Sequence, residues 1–209
     1  MDQQFPGSSV ALDSQGGGGP DAGGRAGQVG QVGVVIGVPE PMASELEQWR
    51  ASFGDPLAAV IPPHITLVTT TPVADWQAAT EHVREVARGQ APFTVTMRGT
   101  GTFRPVSPVV YLNVSDGFDA CVRLHHKLQS GPLARDLEFD FHPHVTVAHD
   151  VSQASMDAAE AQLADYAATF TVSSMGLYEH DQSGVWILRE ELSFDSVPDH
   201  GDRTGGSRD

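Results

Sequence analysis

The chain predicts an α+β fold assembled from two half-domains, and three observations carry that prediction. Apolar residues recur at period two in some segments and at helical spacing in others, in the order β, α, β, α, β, β, α, β, α, β, β. Adjacent strand segments are joined by turn-rich stretches, as antiparallel hairpins are. A tetrapeptide of histidine, β-branched apolar residue, threonine and apolar residue occurs twice, as His64-Ile65-Thr66-Leu67 and as His144-Val145-Thr146-Val147, with the histidines 144 − 64 = 80 positions apart. Each half supplies helices, strands and one copy, which implies an internal pseudo-duplication, although identity between the halves beyond the motifs is negligible.

The elements follow in order. Gln31 to Val38, rich in valine, reads as a central strand ended by Pro39. Pro41 opens the first turn of an amphipathic helix with Leu46, Trp49 and Phe53 on one side, stopping at Gly54. The first motif strand spans His64 to Thr70, and a second helix runs from about Ala74 to Arg88 with Trp76, Ala79, Val83 and Val86 along one face. Phe93 to Met97 and Val109 to Val114 read as antiparallel neighbours across a loop holding Gly101, Phe103 and Arg104. A third helix covers about Phe118 to Gln129, with His125 and His126 as surface or partly buried residues without chemistry. After the second motif strand a helix is expected from Gln153 to Ala168, then one strand from Phe170 through Tyr178, paired with Val185 to Leu192 around the turn Asp181-Gln182-Ser183-Gly184.

Composition narrows the class. With 209 residues and 40% apolar content, the chain can bury a good core. We assign that core to residues 31–195. Residues 1–30 and 196–209 are glycine-rich or polar and aperiodic, and read as disordered tails. No signal peptide and no membrane span is legible, and the single cysteine, Cys121, suits a core position in a reducing, cytoplasmic setting. A net charge of −15 with one lysine, Lys127, argues against a protein that tracks long nucleic acid, which needs a basic stripe. A small substrate, or an RNA end gripped locally by a monomer, fits better.

The motifs carry the chemistry. In a strand, residues i and i+2 face the same way, so His64 and Thr66 share one face, as do His144 and Thr146. Cleaving a cyclic phosphodiester needs one group to take a proton from the attacking oxygen and another to protonate the departing one. Imidazole serves both needs near neutral pH, and threonine hydroxyls one strand step away can hold non-bridging phosphate oxygens.

These residues together resemble the 2H phosphoesterase superfamily, whose members carry two His-x-Thr/Ser-x motifs and include the 2′-5′ RNA ligase family and the 2′,3′-cyclic nucleotide phosphodiesterases. The resemblance spans about Gly30 to Phe194, including the Phe141-His142-Pro143 lead into the second motif and the segments Trp49-Arg50, Phe53 to Leu57 and Phe103 to Val110. It implies a bilobal α+β structure, two antiparallel sheets flanking a central cleft with helices outside. It also implies that His64 and His144 are acid and base while Thr66 and Thr146 hold phosphate. Near the cleft, Phe103 would stack on a base and Arg104 would meet phosphate. His149 stands where many relatives carry arginine, a titratable cation in place of a fixed one. The expected activity is hydrolysis of a 2′,3′-cyclic phosphate, on a nucleotide or an RNA 3′-end, to a 2′-phosphate without cofactor or metal; ligation is the same chemistry with a ribose hydroxyl as nucleophile. Two alternatives stand beside it. One is a metal site of His142, His144 and His149; the other is a binding module that keeps the cleft without turnover.

Overall fold

The computed structural model describes residues 30–180 and 186–195. Apart from Gly30, which opens the first strand, both tails, and the turn expected at Asp181 to Gly184, lie outside the described residues. Strand β1 (Gly30–Gly37) leads to helix α1 (Met42–Ser52), β2 (His64–Val73) and α2 (Trp76–Arg88). The hairpin β3 (Phe93–Thr102) and β4 (Val109–Asp116) follows, then α3 (Phe118–Leu128) and β5 (His144–His149). Helix α4 (Gln153–Gln162), β6 (Ala167–Val172), β7 (Ser174–His180) and β8 (Trp186–Ser193) complete the chain. Local chemistry accounts for the boundaries. Asp75 and Ser152 cap α2 and α4 by accepting from the amides of Ala78 and Ser155.

The described strands form one eight-stranded sheet, in the order β6-β3-β4-β5-β2-β1-β7-β8, with antiparallel pairing throughout. The expected α+β class is therefore present, but the two separate sheets are not. The halves join where β2 and β5 hydrogen-bond at Ile65 and Val145. They join again in sequence, because Ser173 alone separates β6 at one edge from β7 in the other half. A single residue cannot span a flat sheet of that width at roughly 4.8 Å per strand, so the sheet must curl back on itself.

Several boundaries differ from the sequence reading: β2 runs on past Thr70 to Val73, and β3 past Met97 to Thr102, which places Gly101 in a strand and not in the loop. Helix α4 ends at Gln162 instead of Ala168, because Ala167 to Val172 pairs along β3 from Arg98 to Phe93. Sheet pairing overrides the helical propensity of the alanines. For the same reason, the single strand expected from Phe170 to Tyr178 is two strands with different partners.

The helices supply core side chains: Ala79, Val83 and Ala87 from α2, and Cys121, Leu124 and Leu128 from α3, all buried. Burial pushes the Cys121 thiol up to about 12, consistent with a packing role. His125 is a further correction. It is buried, stacks on Phe141 at 4.0 Å, and its Nδ1 lies 2.7 Å from the Leu67 carbonyl.

Candidate active site

The seam between the halves places the motifs. Ile65 and Val145 face each other across β2 and β5 and are both fully buried. Alternation turns His64, Thr66, His144 and Thr146 to the opposite face. Extending the register by one residue sets His64 across from Thr146 and Thr66 across from His144. These four side chains line one cleft together with His149, Arg50 and Asp55.

His149 reaches that cleft through a bulge. Its separation from His144 is odd, so strict alternation would turn it into the core. On β5, however, Tyr111 pairs with Thr146 while Val110 pairs with Ala148, so Val147 is an extra residue. Val147 and Ala148 are consecutively buried, and His149 returns to the cleft face. The same bulge recurs at the same place in the first motif: Val35 pairs with Thr66 and Val34 with Val68, leaving Leu67 extra and bringing Thr69 to the cleft face. A bulged residue loses a ladder partner, and the His125 ring takes up the Leu67 carbonyl. The pseudo-duplication is thus visible in backbone register where sequence identity has faded.

The motif imidazoles are oriented identically. His64 Nδ1 lies 2.7 Å from the Pro62 carbonyl oxygen, and His144 Nδ1 lies 2.7 Å from that of His142. A carbonyl only accepts, so in the neutral ring Nδ1 must carry the hydrogen, which leaves the Nε2 lone pair as the basic site in both rings. Burial in the cleft walls lowers the pKa of His64; the Pro62 carbonyl opposes this and the Arg50 charge adds to it. Burial pushes His144 down to about 4, against the His142 carbonyl and with small contributions from the neighbouring His142 and His64 rings. At neutral pH and without an anion in the cleft, both rings are neutral.

The remaining expected residues divide. Phe103 stands at the site, its ring edge-on to His144 at 5.0 Å and tilted against Tyr111 at 4.4 Å. Arg104 does not join the cleft residues. It is turned to α4, where it donates to Asp157 at 2.7 Å and Glu160 at 2.6 Å, acidic residues three positions apart on one helical face. For the metal alternative, no group of three His, Cys, Asp or Glu side chains among the described residues is arranged to hold an ion. His142 and His144 are 6.1 Å apart between ring centroids, with the His144 Nδ1 turned to a carbonyl.

Sequence reasoning missed the Arg50–Asp55 pair. Arg50 is buried on α1 and its Nε donates to Asp55 at 2.9 Å, while its Nη1 donates to the Ile61 carbonyl. Asp55 also accepts from the Leu57 amide at 2.9 Å. The pair thereby ties the loop before His64 to α1. A signal was present: Ala43, Leu46, Arg50 and Phe53 recur at helical spacing, so an arginine interrupts an otherwise apolar stripe.

Comparison with known proteins decides the lineage. A family model described as the 2′-5′ RNA ligase superfamily matches residues 38–184, most of the chain. The chain belongs to that superfamily. A relative from Geobacillus kaustophilus, carrying the name "Putative phosphoesterase GK0864", is 30% identical over 162 residues, 76% of this chain and 92% of the relative. A similarly named protein of Bacillus pumilus is 34% identical over 122 residues, covering 57% of this chain and 70% of its own. Among solved structures, Escherichia coli LigT complexed with NADP+ superposes with a TM-score of 0.62 at 20% identity, over 80% of this chain and 99% of LigT. LigT complexed with 3′-AMP gives 0.58 at 19% identity over the same shares. At that identity the likeness establishes the shared α+β sheet architecture.

Proposed function

We propose that this 2′-5′ RNA ligase superfamily member is a metal-independent phosphoesterase that opens a 2′,3′-cyclic phosphate on a nucleotide or RNA 3′-end. The observation that carries the reading is the twinned imidazole pair, with both Nε2 atoms basic and each ring held by the carbonyl two residues before it. One ring removes a proton from water as its oxygen attacks phosphorus. The other, protonated, delivers a proton to the ribose 3′-oxygen as the P–O3′ bond breaks, leaving a 2′-phosphate. Thr66 and Thr146 donate to the non-bridging oxygens, and His149 contributes a third polar contact at the same wall.

Low pKa values in the free cleft fit this cycle. A phosphodiester carries negative charge, and an anion beside an imidazole raises its pKa, so substrate entry supplies the protonated acid that the empty cleft lacks. Small nucleotides held by LigT, 3′-AMP and NADP+ among them, are ligands of the chemistry proposed here. With a ribose hydroxyl in place of water as nucleophile, the same groups open the cyclic phosphate into a 2′-5′ phosphodiester, which is ligation.

The test is product analysis. A 2′,3′-cyclic mononucleotide incubated with the protein in chelator should give only the 2′-monophosphate. No turnover, turnover abolished by chelator, or a 3′-monophosphate product would contradict the proposal.

A further inference from the structure

The cleft face does not end at the motifs. In antiparallel pairs, residues directly opposite each other share a face, and alternation extends that face along each strand. Thr66 pairs with Val35, so Gly33 also faces the cleft side; Gly33 pairs with Tyr178, and Tyr178 with Leu188. Trp186, two residues before Leu188, lies on this face too. Gly33 interrupts a run of valines for a steric reason: a Cβ there would lie 1.8 Å from Cζ3 and 2.0 Å from Cη2 of Trp186. The glycine lets the indole lie directly on the sheet. Trp186 remains half-buried, Tyr178 packs against it at 5.8 Å, and Leu188 beside them is 50% exposed.

A cation stands next to this apolar surface. Arg135 Nη2 donates to Thr69 Oγ1 at 2.6 Å and its Nη1 reaches the Thr70 carbonyl at 3.4 Å. Thr69 is the residue that the first-motif bulge returns to the cleft face, the counterpart of His149 in the second half. It lies on β2 beside the part of β1 that holds Gly33, roughly 4.8 Å away, the spacing of neighbouring strands. Among the described residues no carboxylate forms an ion pair with Arg135, even though Asp136, Glu138 and Asp140 follow it in its own loop. Thr66 to Thr69 spans roughly 10 Å of strand, which is the scale of a neighbouring nucleotide and not of the same phosphate.

Building on the phosphoesterase reading, we propose that Arg135, Trp186 and Tyr178 form a second subsite, which selects a short single-stranded oligonucleotide end over a mononucleotide. The guanidinium takes the flanking phosphate and the indole and phenol stack a base, the combination that binds single strands without sequence readout. A local grip of this kind suits a protein of net charge −15.

The experiment compares a 2′,3′-cyclic mononucleotide with a short single-stranded oligoribonucleotide ending in the same cyclic phosphate. The wild type should favour the oligonucleotide in kcat/KM. Arg135→Met and Trp186→Leu should each raise its KM by about five- to thirtyfold, the effect of losing one charged or stacking contact, and Trp186→Phe should retain most of the preference. Mononucleotide turnover, which touches neither residue, should change less than about twofold. Equal losses on both substrates, or no wild-type preference, would overturn the subsite while leaving the phosphoesterase reading intact. Binding gives an independent reading: the oligonucleotide should quench tryptophan fluorescence in the wild type and in the His64→Ala/His144→Ala protein, and markedly less in Trp186→Phe. Undiminished quenching in Trp186→Phe would overturn the subsite. If the oligonucleotide quenches but neither substrate turns over, the subsite stands and the phosphoesterase reading falls.

Discussion

Acidification should destabilise this protein through His144, by an amount the structure bounds. The ring's pKa is pushed from 6.5 down to about 4, chiefly by burial. Between those values the unfolded chain binds a proton that the folded protein refuses, so stability falls as pH falls through 6.5 and the loss saturates below about 4. One pH unit is worth about 1.4 kcal/mol, which sets an upper bound of about 3.5 kcal/mol across the window. Solvent reaching the half-buried ring reduces the expected loss to about 1–2 kcal/mol. Urea unfolding of the wild type and of His144→Gln, each at about pH 7 and about pH 4.5, isolates the effect because every other titration is shared. The wild type should lose about 1–2 kcal/mol more than the variant on acidification. Equal losses would refute the desolvated, neutral imidazole on which the acid–base scheme rests.

Three further outcomes are expected. Asp55→Asn leaves the buried Arg50 charge without its partner and should cost about 3–5 kcal/mol in urea unfolding, with turnover falling as the loop before His64 loosens. Gly33→Ala drives a methyl into the Trp186 ring and should cost about 1–3 kcal/mol, with a change in tryptophan emission that marks displacement of the indole. Arg104→Ala removes a guanidinium held by Asp157 and Glu160, so kcat/KM for a cyclic mononucleotide should stay within about threefold and stability should fall by no more than about 1 kcal/mol.

The twin tetrapeptides were legible in sequence because they combine a local period with a local residue choice. Strand alternation alone places His64 with Thr66 and His144 with Thr146. What lay beyond sequence reasoning depends on pairing between distant segments. The bulges at Leu67 and Val147 are properties of register with β1 and β4, and without them neither the cleft position of His149 nor that of Thr69 follows. Partner choice misled in the same way at Arg104, whose acids Asp157 and Glu160 lie 53 and 56 residues away on α4. The early end of α4 was illegible because Ala167 and Ala168 favour helix until β3 offers its edge. Arg50 was the opposite case: its place on an apolar stripe was visible, but only the fold shows that the stripe's end meets the loop before His64.

The central claim is that His64 and His144 act on one phosphorus atom as proton acceptor and donor, and the most direct measurement is the rate of 2′,3′-cyclic mononucleotide hydrolysis by His64→Ala and by His144→Ala. Each single change should lower kcat by about 10²- to 10⁴-fold, with the folded state retained by circular dichroism. A folded variant of either histidine that turns over at the wild-type rate would contradict the account.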